Sequence, residues 1–263
     1  MQSEWELAVR LAVFASVFGL MASWEYVSPA RALRLPRAVR WRANLGLAVV
    51  NTLILRVLLP TSAIALASLA GENGWGLLNS FPLPGWAAVL AGVVLLDLVI
   101  YFQHVLFHAV PALARLHAVH HADPDFDLTT GIRFHPLEML LSAVIKFAAV
   151  AALGAPAEAV LIFEVLLNAT AMFNHANVAL PAAVEPWVRR VLVTPDMHRI
   201  HHSVVEAERN SNYGFCLSIW DRLLGTNTLE PRGELDIGLA DRREPAMNST
   251  LDGVLRMPFI RYG

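Results

Sequence analysis

The chain has 263 residues, of which 56% are hydrophobic and only 16% charged, and its formal net charge at pH 7 is −2. A composition this apolar argues against an ordinary soluble protein and predicts that the chain is solvated by lipid. The near-zero charge, with only one arginine-rich stretch, argues against nucleic acid as a partner.

The first two apolar regions are predicted to span a membrane. Residues 7–24 have about the 20-residue length of a span and no convincing cleavage motif, so we interpret them as a retained anchor and not as a signal peptide. Residues 45–69 form the second region, which contains Arg56 and Pro60. Five arginines lie between the two regions: Arg31, Arg34, Arg37, Arg40 and Arg42. The positive-inside rule therefore places this loop in the cytoplasm.

Two further apolar regions follow. The third, residues 86–107, contains Asp97. Charges inside spans usually face the bundle interior, and an ion pair between Arg56 and Asp97 is one hypothesis. The fourth, residues 137–172, is interrupted by Gly-Ala-Pro at 154–156, which predicts a helical hairpin that enters and leaves the same side of the membrane. The histidines that follow the third and fourth regions then meet at the cytoplasmic surface.

All ten histidines lie between His104 and His202. Eight of them form three tight groups: His104 and His108; His117, His120 and His121; His198, His201 and His202. Helical residues three or four apart share a face, and neutral imidazole suits iron, zinc, copper and nickel. Because eight to ten ligands exceed what one ion holds, the pattern predicts two ions with four or five ligands each. Single histidines are more often caps or core residues, but the clustering argues against that interpretation here.

The remaining candidates are less clustered. His175, in Asn-His-Ala-Asn, is a candidate ligand, and His135, in Arg-Phe-His-Pro-Leu-Glu, is either a ligand or a hydrogen-bond donor to one. Side chains expected to orient or balance the ligands are Asp97, Glu138, Asn177, Asp196 and Asp221. The acidic residues of the 123–127 segment are interpreted as helix caps or surface charges.

The chain is expected to divide into three parts. Residues 1–85 would be N-terminal spans, residues 86–230 a catalytic core, and residues 231–263 a peripheral C-terminal tail. Cys216 is the single cysteine, so it has no internal disulfide partner and is interpreted as a packing residue.

These motifs together resemble the fatty acid hydroxylase and sterol desaturase superfamily of membrane-bound di-iron oxygenases. The resemblance covers about residues 90–228 and is specific as a combination. Its motifs are Asp97-x6-His104-x3-His108, His117-x2-His120-His121, Arg133-Phe-His-Pro-Leu-Glu138, Asn174-His-Ala-Asn177, Thr194-Pro-Asp-Met-His-Arg-Ile-His-His-Ser203, Asn212-Tyr-Gly214 and Trp220-Asp-Arg-Leu-Leu-Gly-Thr226.

The resemblance implies a fold, a cofactor and a location. The fold would be an all-α, multi-pass transmembrane helix bundle of about four membrane-embedded elements, the last a helical hairpin. A cytosolic helical cap would carry a dimetal polyhistidine site with two iron ions, for which zinc can substitute in purified samples. The expected location is a bacterial inner membrane, with the active site on the cytoplasmic side.

The implied reaction is O2-dependent hydroxylation of an unactivated C–H bond of a lipid, which can be a sterol, a fatty acyl chain, an ether lipid or a carotenoid. Reduction of O2 takes four electrons and C–H oxidation supplies two, so an external ferredoxin, flavoprotein or cytochrome is expected to supply the others. The sequence has no G-x-G-x-x-G fingerprint and no cysteine cluster. The apolar residues proposed to line a lipid channel are Tyr101, Phe107, Phe163, Met172 and Phe173.

Three other functions were compared with hydroxylation. A lipid desaturase would use the same dimetal site, and the sequence does not separate the two reactions. A metal or haem transporter would more often place its ligands near the bilayer midplane, whereas these lie at helix ends. A zinc hydrolase of the H-E-x-x-H type is disfavoured because residue 105 is valine.

Overall fold

A computed structural model describes residues 4–59 and 61–260, and all regular elements within them are helices. The longer helices are α1 (Glu4–Val27), α2 (Arg37–Leu58), α3 (Ala63–Glu72), α4 (Gly85–Ala109), α5 (Pro111–His121), α6 (Pro136–Leu153) and α7 (Ala157–Asn174). The shorter ones are α8 (Glu185–Val188), α9 (Pro195–His201), α10 (Glu206–Arg209), α11 (Ile219–Leu223), α12 (Pro245–Ser249) and α13 (Leu251–Arg256). Single 3₁₀ turns lie at Leu77–Ser80, Thr130–Ile132 and Met257–Phe259. The all-α prediction is confirmed.

Five helical segments in the described part of the chain are long and apolar enough to cross a membrane. They are Glu4–Val27, Arg37–Ser80, Gly85–Ala109, Pro136–Leu153 and Ala157–Asn174. Large apolar side chains such as Leu20, Val57 and Trp86 remain 62%, 79% and 73% exposed on their outer surface. A lipid environment accounts for this exposure, so the chain is a multi-pass membrane protein.

The second predicted span is not one continuous helix. Helix α2 ends at Leu58, and Leu59 is extended, with φ −115° and ψ 92°. The next residue in the sequence is Pro60, and a residue before proline is sterically disfavoured in the helical region. A new helix, α3, then begins at Ala63, with the Ser62 hydroxyl accepting from the N–H of Ala65.

Helices α6 and α7 form the predicted hairpin. Helix α6 ends at Gly154, which has a φ of 62° in the left-handed region that glycine adopts without a Cβ penalty. A Cβ on Gly76 would collide with the Gly154 backbone, so this turn is packed against the connection between α3 and α4. The start of α6 and the end of α7 therefore lie at the opposite end of the bundle, where α4 ends with His104 and His108.

The bundle core lies between α3, α4, α6 and α7. Both hairpin helices pack against α3 and α4, and α1 packs along α7. Buried apolar residues from all four helices meet in one cluster, including Ala67, Leu96, Val150 and Phe163. This packing fixes the axial position of α4 and hence of the histidines at its end.

Asp97 connects α4 to the C-terminal third of the chain. It is 2% exposed, and the N–H groups of Cys216 and Leu217 each donate to its carboxylate at 3.2 Å. Trp220 Nε1 donates to the same carboxylate at 2.8 Å. Because Arg56 is exposed, the hypothesis of an Arg56–Asp97 ion pair is wrong.

A buried charge cluster holds α2 against the segment that follows α5. The Arg40 Nε donates to Asp123 at 2.8 Å and its Nη1 donates to Asp127 at 2.6 Å, and all three side chains are inaccessible. Asp125 accepts from the backbone N–H of Arg34 at 2.8 Å. Burial would raise the pKa of Asp123, but the adjacent Arg40 guanidinium lowers it to about 2. The interpretation of these acidic residues as caps or surface charges is wrong.

The segment expected to be a peripheral tail is packed into the structure. Val254 and Met257 are fully buried in a cluster that also contains Leu47 of α2 and Val119 of α5. The carbonyl of Asn248 accepts from the guanidinium of the buried Arg133 at 2.8 Å. This segment therefore covers α2 and α5 directly behind the histidines.

Candidate metal centre

Nine of the ten histidines converge in two buried groups at one end of the helix bundle. Within each group, one potential ligand atom from every residue lies within 4.8 Å of the others. The five-histidine group consists of His104, His108, His117, His121 and His201, and the four-histidine group consists of His120, His175, His198 and His202. The nine histidines thus form one set of five and one set of four, each of which could hold a metal ion.

Two short helices supply both groups. In α5, His117 and His121 are four residues apart and share a face, so both point into the five-histidine group, while His120 points into the four-histidine group. At α9, His198 and His202 are likewise four apart and belong to the four-histidine group. The remaining ligands come from the last turns of α4 and α7 and from the end of α9.

Backbone carbonyls set the orientation of two rings in the five-histidine group. His104 Nδ1 donates to the carbonyl of Tyr213 at 2.8 Å, and His201 Nδ1 donates to the carbonyl of Ser211 at 2.7 Å. In each ring the proton is therefore on Nδ1, and Nε2 presents a lone pair. Both carbonyls belong to residues 211–213 of one loop, which includes part of the Asn-Tyr-Gly motif at 212–214.

A carboxylate and a carbonyl orient one ring in each group. His117 Nδ1 donates to Glu138 Oε1 at 2.6 Å, which places Glu138 in the orienting role predicted for it. His175 Nδ1 donates to the carbonyl of Ala171 at 2.7 Å, one turn earlier in α7. Gly131 lies directly against that same carbonyl. A Cβ at residue 131 would be only 2.5 Å from the Ala171 oxygen, so glycine is needed here.

The four-histidine group fits a cation. His175 Nε2 lies 3.1 Å from His120 Nε2 and 3.0 Å from His198 Nε2. Burial lowers the pKa of His175 to about 3 and holds the pKa values of His120 and His198 well below their usual range, so the rings are neutral. The His175 proton is on Nδ1, so its Nε2 presents a lone pair, and a cation between the three Nε2 atoms would take that lone pair together with those of His120 and His198. Ligands about 2.1 Å from a metal and at right angles to each other are about 3 Å apart, which matches.

The five-histidine group also fits a cation. The Nε2 atoms of His104, His108, His117 and His201 are buried and have no hydrogen-bond partner among the described residues. Unpartnered buried nitrogen atoms are unfavourable, and four of them aimed at a common point are accounted for by a bound transition metal. Both groups therefore suit a metal that prefers imidazole.

His135 lies outside both groups. Its Nδ1 accepts from the N–H of Leu137 at 3.2 Å, which makes it the N-cap of α6. Its Nε2 lies 3.2 Å from the carbonyl of Leu255 in the C-terminal segment. Both ring nitrogens are therefore engaged, and the structure does not bring His135 to either ligand set.

The other predicted orienting residues act at a distance or elsewhere. Asp221 accepts from the N–H groups of Tyr213 and Gly214 at 2.7 Å and 2.8 Å, and so fixes the carbonyl that His104 uses. Asp97 accepts from the backbone N–H groups of Cys216 and Leu217, in the segment that directly follows. These two carboxylates position a loop and do not themselves hydrogen-bond to a histidine.

Asp196 and Asn177 contact arginines instead of histidines. Asp196 pairs with Arg199 at 2.9 Å, and the Asp196 side chain is 42% exposed. Asn177 accepts from the N–H of Arg31 at 3.0 Å and donates back to its carbonyl at 2.8 Å. Asn177 therefore connects the segment after α7 to the loop between α1 and α2, whereas the Asp196–Arg199 pair lies within α9.

Two aromatic rings stack on the grouped histidines, and Asn212, which has a left-handed backbone conformation, lies beside them. The histidine motifs alone did not indicate these residues. Phe134 stacks on His120 with ring centroids 4.4 Å apart, and Phe126 stacks on His175 at 5.4 Å. Asn212 has a φ of 51° and its side chain donates to the carbonyl of Met197 at 3.1 Å. The Asn-Tyr-Gly motif at 212–214 was the available signal for this loop.

An apolar cavity opens beside the five-histidine group. Its volume is about 460 Å³, and it extends from His104 and His117 between α1, α2, α4, α6 and α7. Apolar side chains lining it include Leu11, Phe14, Leu55, Ile100 and Leu167.

Of the residues proposed to line a lipid channel, only Phe107 borders this cavity. The Tyr101 hydroxyl lies 2.8 Å from the Thr226 hydroxyl, and Phe163 is in the bundle core. Met172 borders a separate, smaller pocket, and Phe173 packs in another cluster. Aromatic content in a span did not identify the cavity, because packing positions have the same residue types.

Comparison with known proteins identifies the family. A model of the fatty acid hydroxylase family matches residues 89–226, which is more than half of the chain and contains all nine grouped histidines. The ornithine lipid hydroxylase OlsE of Rhizobium tropici is 34% identical over 176 residues, covering 66% of this chain and 51% of that protein.

More distant relatives carry related names. The methylsterol monooxygenase 2-2 of Arabidopsis thaliana is 26% identical over 185 residues, or 65% of this chain and 68% of that protein. The alkylglycerol monooxygenase of Homo sapiens is 28% identical over 144 residues, or 54% of this chain and 30% of that protein. The chain thus spans about half the length of OlsE and less than a third of the alkylglycerol enzyme. No solved structure shows significant similarity. With its family match and its two histidine groups, the chain belongs to the fatty acid hydroxylase family.

Proposed function

We propose that this protein is a membrane-bound, di-iron, O2-dependent oxygenase that hydroxylates an unactivated C–H bond of a lipid. One observation carries the proposal: the apolar cavity of about 460 Å³ ends at His104 and His117 of the five-histidine group. A cavity lined by apolar side chains takes an alkyl chain, and its contact with two candidate ligands brings that chain to the metal centre. The names of the relatives support a lipid as substrate.

The chain's own residues position the ligands and exclude water. Two iron ions would be held by the five-histidine and four-histidine groups, and when bound they supply reductive activation of O2 for oxidation of a C–H bond. Glu138 and the carbonyls of Ala171, Ser211 and Tyr213 hold the rings. The apolar lining desolvates the substrate carbon, which limits side reactions with water.

We also propose an electron donor, a catalytic segment and an orientation in the membrane. An external ferredoxin, flavoprotein or cytochrome would supply the two electrons that the C–H bond does not. Residues 86–230 would form the catalytic core in a bacterial inner membrane, with the histidine end on the cytoplasmic side. The arginines between α1 and α2 support this orientation, since Arg31 and Arg34 contact the segment around the histidines.

Turnover tests the reaction. Purified, iron-loaded protein in lipid nanodiscs is supplied with a reductant and ¹⁸O2, and lipid products are analysed by mass spectrometry. Incorporation of one ¹⁸O atom into a lipid indicates hydroxylation, whereas loss of two hydrogens without ¹⁸O indicates desaturation. The His120→Ala variant should abolish either product, and unchanged product in that variant would overturn the proposal.

Cysteine labelling tests the topology. Cys216, the single native cysteine, is buried and should react little. Gly233→Cys at the histidine end and Gly74→Cys at the other end both introduce a thiol at an exposed position. A membrane-impermeant maleimide added to intact spheroplasts should label residue 74 and not residue 233. The reverse pattern would place the site on the outer side.

A further inference from the structure

Two oxygen atoms in the cavity beside the five-histidine group have no hydrogen-bond donor. Asn51 of α2 and Gln103 of α4 both line this cavity. The side-chain oxygens Asn51 Oδ1 and Gln103 Oε1 are each buried and unpartnered. A largely apolar cavity therefore contains two acceptors that the protein itself does not satisfy.

The orientation of Asn51 is fixed by its other contact. Its Nδ2 donates to the carbonyl of Phe134 at 2.9 Å. A backbone carbonyl only accepts, so the amide cannot be turned over, and the free atom is the oxygen. Asn51 is 5% exposed, which removes it from bulk solvent. The ring of Phe134 stacks on His120, so this contact places Asn51 next to the metal-binding end of the cavity.

Gln103 lies on the facing side of the same cavity. Its Nε2 donates to the Ser142 hydroxyl at 2.8 Å, and it directly precedes His104 in α4. Ser142 follows Glu138 by one turn of α6, so both side chains are on the same face of that helix. Glu138 Oε2 is a further buried oxygen without a donor.

The unpartnered polar atoms that border the cavity share one property. Apart from the Nε2 atoms of His104 and His117, they are all side-chain oxygens: Asn51 Oδ1, Glu138 Oε2, and Gln103 Oε1 in the amide orientation that donates to Ser142. Burying an acceptor without a donor is unfavourable, and a pure hydrocarbon in the cavity would leave all three in that state. Each of these oxygens would be satisfied by one N–H or O–H hydrogen of a bound molecule.

We propose that the substrate is a lipid with a hydrogen-bond donor, an amide N–H or a hydroxyl, that donates to Asn51 Oδ1 or to Gln103 Oε1 while its alkyl chain occupies the apolar part of the cavity. This inference rests on the proposed function in taking the cavity as the substrate site. It selects donor-bearing lipids over hydrocarbons and over lipids whose only polar groups are esters or ethers.

The experiment measures binding without turnover. Zinc-loaded protein in nanodiscs is titrated with two matched pairs of lipids: an N-acyl amino acid and its N-methylated amide, and a long-chain alcohol and its methyl ether. We expect the donor-bearing member of at least one pair to bind about tenfold more tightly than its blocked counterpart, since a site built to bind an N–H or O–H group discriminates against its absence. The pair that discriminates identifies the amide or the hydroxyl.

Variants locate the donor. Asn51→Leu and Gln103→Met keep the approximate size and remove the acceptor, so the variant that lacks the acceptor in use should reduce the tenfold preference to about twofold or less. Asn73→Leu, at an exposed position at the end of α3, is the matched control and should keep it. Two variants are used because Asn51→Leu also removes the bond to Phe134.

Two outcomes would overturn the inference. Equal binding of both members of both pairs to the wild type would mean that water satisfies the two oxygens and the lipid does not. A preference that persists in both variants would mean that the donor binds elsewhere. Failure of the proposed oxygenase activity is observed separately, as absence of ¹⁸O product in the iron-loaded protein, and leaves the binding result interpretable.

Discussion

Glu138 Oε1 lies 2.6 Å from His117 Nδ1, so the first turn of α6 orients a histidine of α5. Replacing Glu138 with Gln keeps the size but removes the negative charge that makes the ring a stronger ligand. We expect metal affinity to fall about 10- to 100-fold. Metal content measured after dialysis against graded chelator tests this.

The matched control for that substitution is Glu158→Gln, because Glu158 is exposed in the first turn of α7. It should retain the metal of the wild type. Equal retention by Glu138→Gln would show that the carboxylate does not tune its ligand.

His135 and His120 should behave differently when each is replaced by alanine. His135 caps α6, so its loss should cost about 1 kcal/mol of stability and leave the metal content unchanged. His120→Ala removes a member of the four-histidine group and should lower the metal content. Elemental analysis and thermal unfolding of the two variants distinguish these roles. A fall in bound metal in His135→Ala would contradict its assignment as a cap.

The buried charge cluster should be sensitive to loss of its cation. Arg40→Met leaves Asp123 and Asp127 buried without their partner, and breaking such a pair costs about 3–5 kcal/mol. Because total stabilities are only about 5–15 kcal/mol, we expect a large decrease in unfolding temperature or in folded yield. Arg42→Met, two residues along the same helix and exposed, should have little effect. Similar unfolding curves for the two variants would mean that the cluster is energetically neutral.

Metal removal should lower stability and zinc should restore it. A ligand that binds only the folded state stabilises it by mass action. Chelation should therefore decrease the unfolding temperature, and added zinc should recover it without recovering O2 consumption, whereas iron should recover both. An unfolding temperature unaffected by chelator would show that the histidine groups do not hold metal in the purified protein.

A larger side chain in the cavity should change the preferred chain length. Ala48 lines the cavity on α2, and Ala48→Phe fills part of the space available to an alkyl chain. Each methylene displaced costs about 0.8 kcal/mol, or about fourfold in kcat/KM. We expect the chain-length optimum to move to shorter lipids. Measuring kcat/KM over a series of acyl lengths tests this, and an unchanged optimum would mean that the chain lies elsewhere.

The histidine groups were predictable from sequence because helical periodicity is local. Residues four apart, such as His104 and His108 or His117 and His121, share a face whatever the rest of the chain does. The orienting bonds were less accessible, since the carbonyls of Tyr213 and Ser211 depend on a loop conformation and backbone atoms do not appear in a sequence pattern.

Long-range pairing was the main source of error. Asp123 was interpreted as a helix cap or a surface charge, but its partner Arg40 lies on α2, 83 residues earlier. The hydrophobic periodicity of the C-terminal segment is weak, so the burial of Val254 and Met257 was likewise not visible. His135 resembled a ligand because a cap and a ligand can have the same sequence context.

The two histidine groups share their supports, since α5 and α9 each contribute side chains to both. A metal bound in one group immobilises two short helices that also carry ligands of the other, so the second ion meets a set of ligands that is already ordered. Occupancy should therefore be cooperative, with fully loaded and empty molecules favoured over singly loaded ones. Because helix geometry sets the separation of the two histidine groups, it would also set the distance between any two ions that they hold.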